Sequence, residues 1–72
     1  MKVTYDKEAD AMYIYIEEIK KGDIAKTISL NDNIILDLGE DKKILGIEIL
    51  SASKNMRKNS LETLVKIPVQ SK

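Results

Sequence analysis

The sequence contains no cysteine, histidine, tryptophan or phenylalanine. Without Cys there can be no disulfide and no thiolate metal site. Without His, the commonest transition-metal ligand and the commonest general base are both missing. Nucleophilic catalysis of the Ser–His or Cys–His kind is therefore excluded. Gly22, Gly39 and Gly46 are the only glycines, too scattered to build a phosphate-cradling loop. No apolar run reaches signal-peptide or membrane-spanning length. These absences predict a soluble, cytoplasmic protein with no membrane partner, no cofactor and no resident metal, and they argue against an enzyme. A Ser–Lys dyad from Ser51, Ser53 and Lys54 is conceivable, but serines at the start of a helical stretch usually serve as caps.

Size adds a further constraint. A chain of 72 residues buries only roughly 60% of its unfolded surface, so it is marginally stable unless something supplements its core. With disulfides and thiolate metal sites removed, self-association is the expected supplement. Net charge is zero, but unevenly spread. Residues 1–50 hold 7 Lys against 11 acids, giving −4, and residues 51–72 hold five basic residues against Glu62, giving +4. A basic C-terminal segment suggests a solvated face first and a nucleic-acid contact only third. The chain has one Arg, no aromatic after Tyr15 and no nucleic-acid motif.

Alternation of apolar and polar residues predicts five strands. They are Lys2–Tyr5, Ala11–Glu17, Ile24–Leu30, Ile34–Leu38 and Lys43–Leu50. The second is apolar on both sides, with Met12, Ile14 and Ile16 against Tyr13 and Tyr15, so it belongs in the centre of a sheet or under a partner. Lys26 falls on the apolar side of the third strand, which suits an edge. A four-residue loop at 39–42 would set Leu36 opposite Leu45 and Ile34 opposite Ile47. Gly46, inside a strand pattern, calls for a bulge or a close neighbour, and Tyr13 or Tyr15 packing over it would meet that need.

After Leu50 the alternation stops. Ser51 or Ser53 can cap a short helix, Asn59-Ser60 is expected to break it, and Leu61, Leu64 and Val65 recur at helical spacing behind Ser60. Pro68 is expected to end this element. Residues 60–70 read equally as helix or strand. The whole is one domain over 1–72, with a sheet over 1–50 and a C-terminal cover over 51–72. The fold class is α+β: an antiparallel β-meander of about five strands with a helical segment packed on one face. Its core is expected to hold Val3, Met12, Ile14, Ile16, Ile28, Leu36, Leu45, Ile47 and Ile49.

Two groups of residues are candidate sites. Asp37 and Glu48 share the outer face of neighbouring strands, and with Asp6 and Asp10 they would form an acidic cluster for a small ligand or hard cation. The usual calcium-loop pattern is missing, so outer-face solvation is the competing explanation. Tyr13, Tyr15 and Ile35 are a candidate interface, because paired strand tyrosines commonly cover a sheet face or sit between subunits.

The segments "VTYDKEADAMYIYI" (3–16) and "IILDLGEDKKILGIEILSAS" (34–53) together resemble the DUF2283 family of small prokaryotic proteins of unknown function. The matching positions are Tyr5, Asp6, Glu8, Ala9, Asp10, Ala11, Tyr13 and Ile14, then Asp37, Gly46, Ile47, Glu48 and Leu50. Two positions depart from the family pattern: Gly39 stands where it has a second Asp, and Lys42 where it has the turn Gly. A shift of the turn's positive-φ position to Gly39 is the expected consequence. The resemblance implies a small β-meander with a C-terminal helix and supplies no catalytic residue. The sequence therefore predicts a non-enzymatic interaction or oligomerisation module, a homodimer or one partner of another small protein.

Overall fold

A computed structural model describes residues 1–66 and 69–70. Strands β1 (Lys2–Asp6) and β2 (Ala11–Tyr15) form a hairpin. The Asp6 carboxylate folds back to accept the backbone N–H groups of Glu8 and Ala9, both at 3.1 Å. Asp10 closes the loop at φ 53, a left-handed conformation that Asp tolerates better than most residues. Strand β3 (Lys26–Ser29), β4 (Ile34–Leu38) and β5 (Ile44–Ile49) follow as consecutive hairpins. Helices α1 (Ala52–Asn55) and α2 (Lys58–Lys66) come next, then a two-residue strand β6 (Val69–Gln70) parallel to β1.

The α+β class, the antiparallel five-stranded sheet and the C-terminal helices are as expected; the strand order is not that of a meander. The sheet runs β3-β4-β5-β2-β1-β6. Strand β2 pairs with β1 and β5, and the connection 16–25 carries the chain past β5 and β4 to the far edge. Three hairpin-linked strands with a fourth returning beside them make a Greek key. The physical reason lies in the two strands concerned. β2 is apolar on both sides and takes the centre, whereas β3, with Lys26, Thr27 and Ser29, has one row of hydrogen bonds and tolerates an edge.

The β4–β5 register also differs from expectation. Leu36 faces Ile47 and Ile34 faces Ile49, two residues beyond the expected partners. The loop holds three residues rather than four: Gly39 N–H donates to Lys43 O at 3.0 Å and Lys42 N–H to Gly39 O at 2.9 Å. Lys42 sits at φ 66, so the positive-φ position stays at Lys42 and did not move to Gly39. Such a loop slips the pairing by one residue. An irregularity beside Asp37 and Leu38, with Leu45 as the extra residue, slips it by one more. The two slips cancel in parity, so the apolar sides of β4 and β5 still agree.

The core is lopsided. Val3, Met12, Ile14, Leu45 and Ala52 are buried, and Tyr5, Ile47, Ile49, Met56, Leu61 and Leu64 pack against the main cluster. Ile28 and Leu36 are only half-buried. Ile16, expected inside, is 44% exposed, because β2 ends at Tyr15 and Ile16 keeps only a backbone bond to Leu45. Asn59-Ser60 do not break the helix; α2 begins at Lys58 and Thr63 donates back to Asn59 O. The expected stop at Pro68 lies outside the described residues.

Candidate functional site

Strand register sorts the side chains onto two faces. Val3, Tyr5, Met12, Ile14, Ile28, Ile34, Leu36, Ile47 and Ile49 share the face where the helices dock. The other face carries two rows. One reads Thr4, Tyr13, Glu48, Ile35 and Ser29 across the strands; the next reads Lys2, Tyr15, Gly46, Asp37 and Thr27. All three residues of the candidate interface, Tyr13, Tyr15 and Ile35, thus lie on the face without helices, each half-buried.

On that face the side chains link into a line. Lys2 Nζ stands 4.5 Å from the centre of the Tyr15 ring, within cation–π range. The Tyr15 and Tyr13 rings lie 4.6 Å apart, tilted by 56°. Tyr13 crosses diagonally over Gly46 and donates its hydroxyl to Asp37 Oδ2 at 2.5 Å, while Thr27 donates to Asp37 Oδ1 at 2.6 Å. A Cβ at Gly46 would fall 2.6 Å from the Tyr13 ring, so glycine is needed there for the ring to pass. Burial pushes the Tyr13 hydroxyl well above its ordinary pKa, and the Asp37 carboxylate adds to this. A phenol so held is a hydrogen-bond donor, not a nucleophile or base.

Asp10 organises the second site, on the helix side. Its carboxylate accepts the Tyr5 hydroxyl at 2.7 Å, the Ser53 hydroxyl at 2.6 Å and the Ser53 N–H at 3.1 Å. Its backbone oxygen accepts Ala52 N–H at 2.8 Å. Ser51 occupies the N-cap position at φ 49 without a side-chain bond, so Asp10 caps α1 from 43 residues away in sequence. The Ser53 hydroxyl, followed by the Tyr5 hydroxyl, holds the Asp10 carboxyl below the usual carboxylate range. The same contact, with Asp10 as acceptor, raises the Tyr5 hydroxyl above its ordinary value.

The four-carboxylate cluster is not assembled. Asp6 is used in its own turn, Asp10 is drawn to Ser53, and only Asp37 and Glu48 share a face. Among the described residues no group of three or more carboxylates gathers closely enough to hold a metal ion. Beside the tyrosine row, Met1, Lys2, Tyr15, Glu17, Glu18 and Ile19 line an open cleft of about 280 Å³, below the roughly 300–1,000 Å³ of ordinary ligand pockets. Sequence reasoning missed Thr27, Ser53 and Lys2 as members of these sites. Thr27 is signalled only by its place opposite Asp37, and Ser53 by nothing short of the tertiary fold.

Several of the positions that carry the family resemblance fall at these sites: Tyr5 and Asp10 at one, Tyr13, Asp37, Gly46 and Glu48 on the face of the other. Comparison with known proteins agrees with that resemblance. The family described as "Protein of unknown function (DUF2283)" matches residues 2–53. An uncharacterised protein of Methanocaldococcus jannaschii is 43% identical over 54 residues, 75% of this chain and 43% of its own length. A Methanosarcina mazei protein, provisionally named a hypoxanthine phosphoribosyltransferase, is 42% identical over 65 residues, 88% of this chain and 50% of its own. The uncharacterised Bacillus subtilis protein YuzE is 34% identical over 56 residues, 75% of this chain and 43% of its own. The chain thus spans half or less of the length of these relatives. No solved structure matches it significantly. The family match takes in most of the chain, and with it the strands and turns that build both sites: this protein belongs to the DUF2283 family.

Proposed function

We propose that the chain is a non-enzymatic interaction module that works by lending sheet surface to another protein, either a second copy of itself or a small partner chain. The observation that supports this reading is the incomplete cover of the sheet. Helix α2 packs over the β1 side, while Ile28, Ile34 and Leu36 at the β3–β4 side remain half-buried and Leu30 is 61% exposed. On the opposite face, the rings of Tyr13 and Tyr15 and the side chain of Ile35 are also half-open, which keeps them as candidate contact residues.

The chemistry supports the same reading. The Tyr5 and Tyr13 hydroxyls are engaged with carboxylates as donors, and Asp10 is held ionised. These are structural hydrogen bonds, and they occupy the Tyr5, Tyr13 and Asp10 side chains. The transferase name of one relative belongs to a protein of which this chain spans half the length. Size-exclusion chromatography with light scattering at micromolar concentration tests the proposal. A mass above that of the monomer, or a co-purifying small protein, is expected. A strict monomer with no such companion sinks it.

A further inference from the structure

We propose that the tyrosine-bearing face of the sheet is the seat of a cationic segment of another protein, one that presents Arg or Lys side chains. This rests on the module reading above and names both the surface and the chemistry of the partner. The face already holds a cation of its own. Lys2 Nζ stands 4.5 Å from the centre of the Tyr15 ring, and a ring face attracts a cation electrostatically. The Tyr13 ring, 4.6 Å from that of Tyr15, extends the aromatic surface. Glu48 follows on β5, opposite Tyr13 on one side and Ile35 on the other. A ring with a carboxylate beside it can hold a guanidinium in two ways, stacked by its face and hydrogen-bonded by its edge.

The charge of this face is of one prevailing sign. By strand parity its ionisable strand residues are Lys2 against Asp6, Asp37 and Glu48. Glu17 and Glu18 add two carboxylates in the cleft that Lys2 and Tyr15 also line. Among the described residues none of these five carboxylates forms an ion pair. Asp6 accepts N–H groups of its own turn, and Asp37 accepts the hydroxyls of Tyr13 and Thr27. Neutral donors of this kind leave the negative charge in place. Lys54 and Lys58 lie instead on helices that dock on the opposite face, the face to which parity also assigns Lys26.

That distribution selects among occupants. A phosphate-bearing partner meets like charge on this face. An uncharged apolar partner would cover the half-buried Asp37 and Glu48 without supplying a counter-charge, which is costly. A cationic segment supplies that charge and at the same time offers its guanidinium or ammonium groups to the tyrosine rings. Lys2 then acts as an occupant held in place by the chain itself, and a docking cation competes with it for the Tyr15 ring.

The test titrates the full chain into a labelled nona-arginine peptide at roughly 0.05 M salt, followed by fluorescence anisotropy, with circular dichroism as a control for folding. Variants are matched in charge on and off the face: Glu48→Gln against Glu62→Gln, and Lys2→Gln against Lys58→Gln, the controls both being exposed on α2. Tyr15→Leu keeps an apolar side chain and removes the ring. The expected Kd rises about threefold with Tyr15→Leu, the weight of one exposed cation–π contact. It should rise further with Glu48→Gln than with Glu62→Gln, and fall further with Lys2→Gln than with Lys58→Gln. Equal effects within each matched pair overturn the face, because net charge alone would then govern binding. No binding of the peptide, or tighter binding of a nona-glutamate peptide, overturns the cationic partner. A wild-type dimer that Glu48→Gln and Tyr15→Leu both dissociate overturns it in favour of a second copy. The module reading is judged separately by light scattering and co-purification, which use no peptide, so either reading can fail while the other stands.

Discussion

Replacing Gly46 with Ala tests the tyrosine crossing most directly. The added methyl would lie 2.6 Å from the Tyr13 ring, so the ring must move. Moving it strains the packing, at about 1–3 kcal/mol for an overfilled site. It also breaks the Tyr13–Asp37 hydrogen bond, and bonds to charged acceptors contribute about 1.5–3 kcal/mol. Against this, Ala is better than Gly within a strand by about 0.5–1 kcal/mol. The two losses overlap, since one displacement relieves the clash by giving up the bond. A net destabilisation of about 2 kcal/mol is expected, a fall in Tm of roughly 8–16 °C for a domain of this size. Thermal and urea unfolding followed by circular dichroism measure it. The same substitution in a Tyr13→Ala background should be neutral or should raise stability by about 0.5–1 kcal/mol, because only the backbone preference is left. Equal losses in both backgrounds would refute the crossing as the reason for glycine at this position.

Three further outcomes follow from particular residues. Lys42→Gly relieves a left-handed residue at φ 66 and should stabilise by about 1 kcal/mol; an unchanged urea midpoint would mean the turn is not strained there. Thr4 is 5% exposed and its Oγ1 is buried without a hydrogen-bond partner among the described residues, so the isosteric Thr4→Val should raise stability by about 1 kcal/mol. A loss of that size would reveal a partner for the hydroxyl. The Asp10 carboxyl lies below its ordinary value of 3.8 in the folded chain, so its contribution is present above that value and is lost as pH falls through the lower folded one. Wild type should therefore melt well above Asp10→Asn near neutrality, and the gap should close below about pH 4. A gap that does not narrow as the pH is lowered below about 4 is the contrary result.

The features readable from sequence were those set by a residue and its nearest strand neighbours. The two apolar sides of Ala11–Tyr15 placed it centrally, Lys26 marked an edge, and a mid-strand Gly46 announced a ring above it. What escaped were choices among partners of equal local quality. Nothing in residues 11–15 distinguishes β5 from β3 as a neighbour, because either would bury Met12 and Ile14. Asp10 looked like one more turn aspartate beside Asp6, and its bond to Ser53 spans 43 residues. The acidic grouping failed for that reason: strand parity placed Asp37 and Glu48 together, but a residue in a loop has no parity to read. The half-buried state of Ile28 and Leu36 escaped too, since alternation shows which side a residue faces and not how far a helix reaches.

The paired slips in the β4–β5 hairpin bear on how this family can change length. A three-residue loop alone would turn Leu45, Ile47 and Ile49 toward the wrong side; the extra residue at Leu45 turns them back. Each irregularity is tolerable only in the presence of the other. A single insertion or deletion in either place therefore reverses a whole strand, whereas one in each leaves the sheet intact. Length changes in this hairpin should therefore come as matched pairs, one near Gly39 and one near Leu45. A lone gap in an otherwise good alignment would mark a chain whose fifth strand has exchanged its inside for its outside.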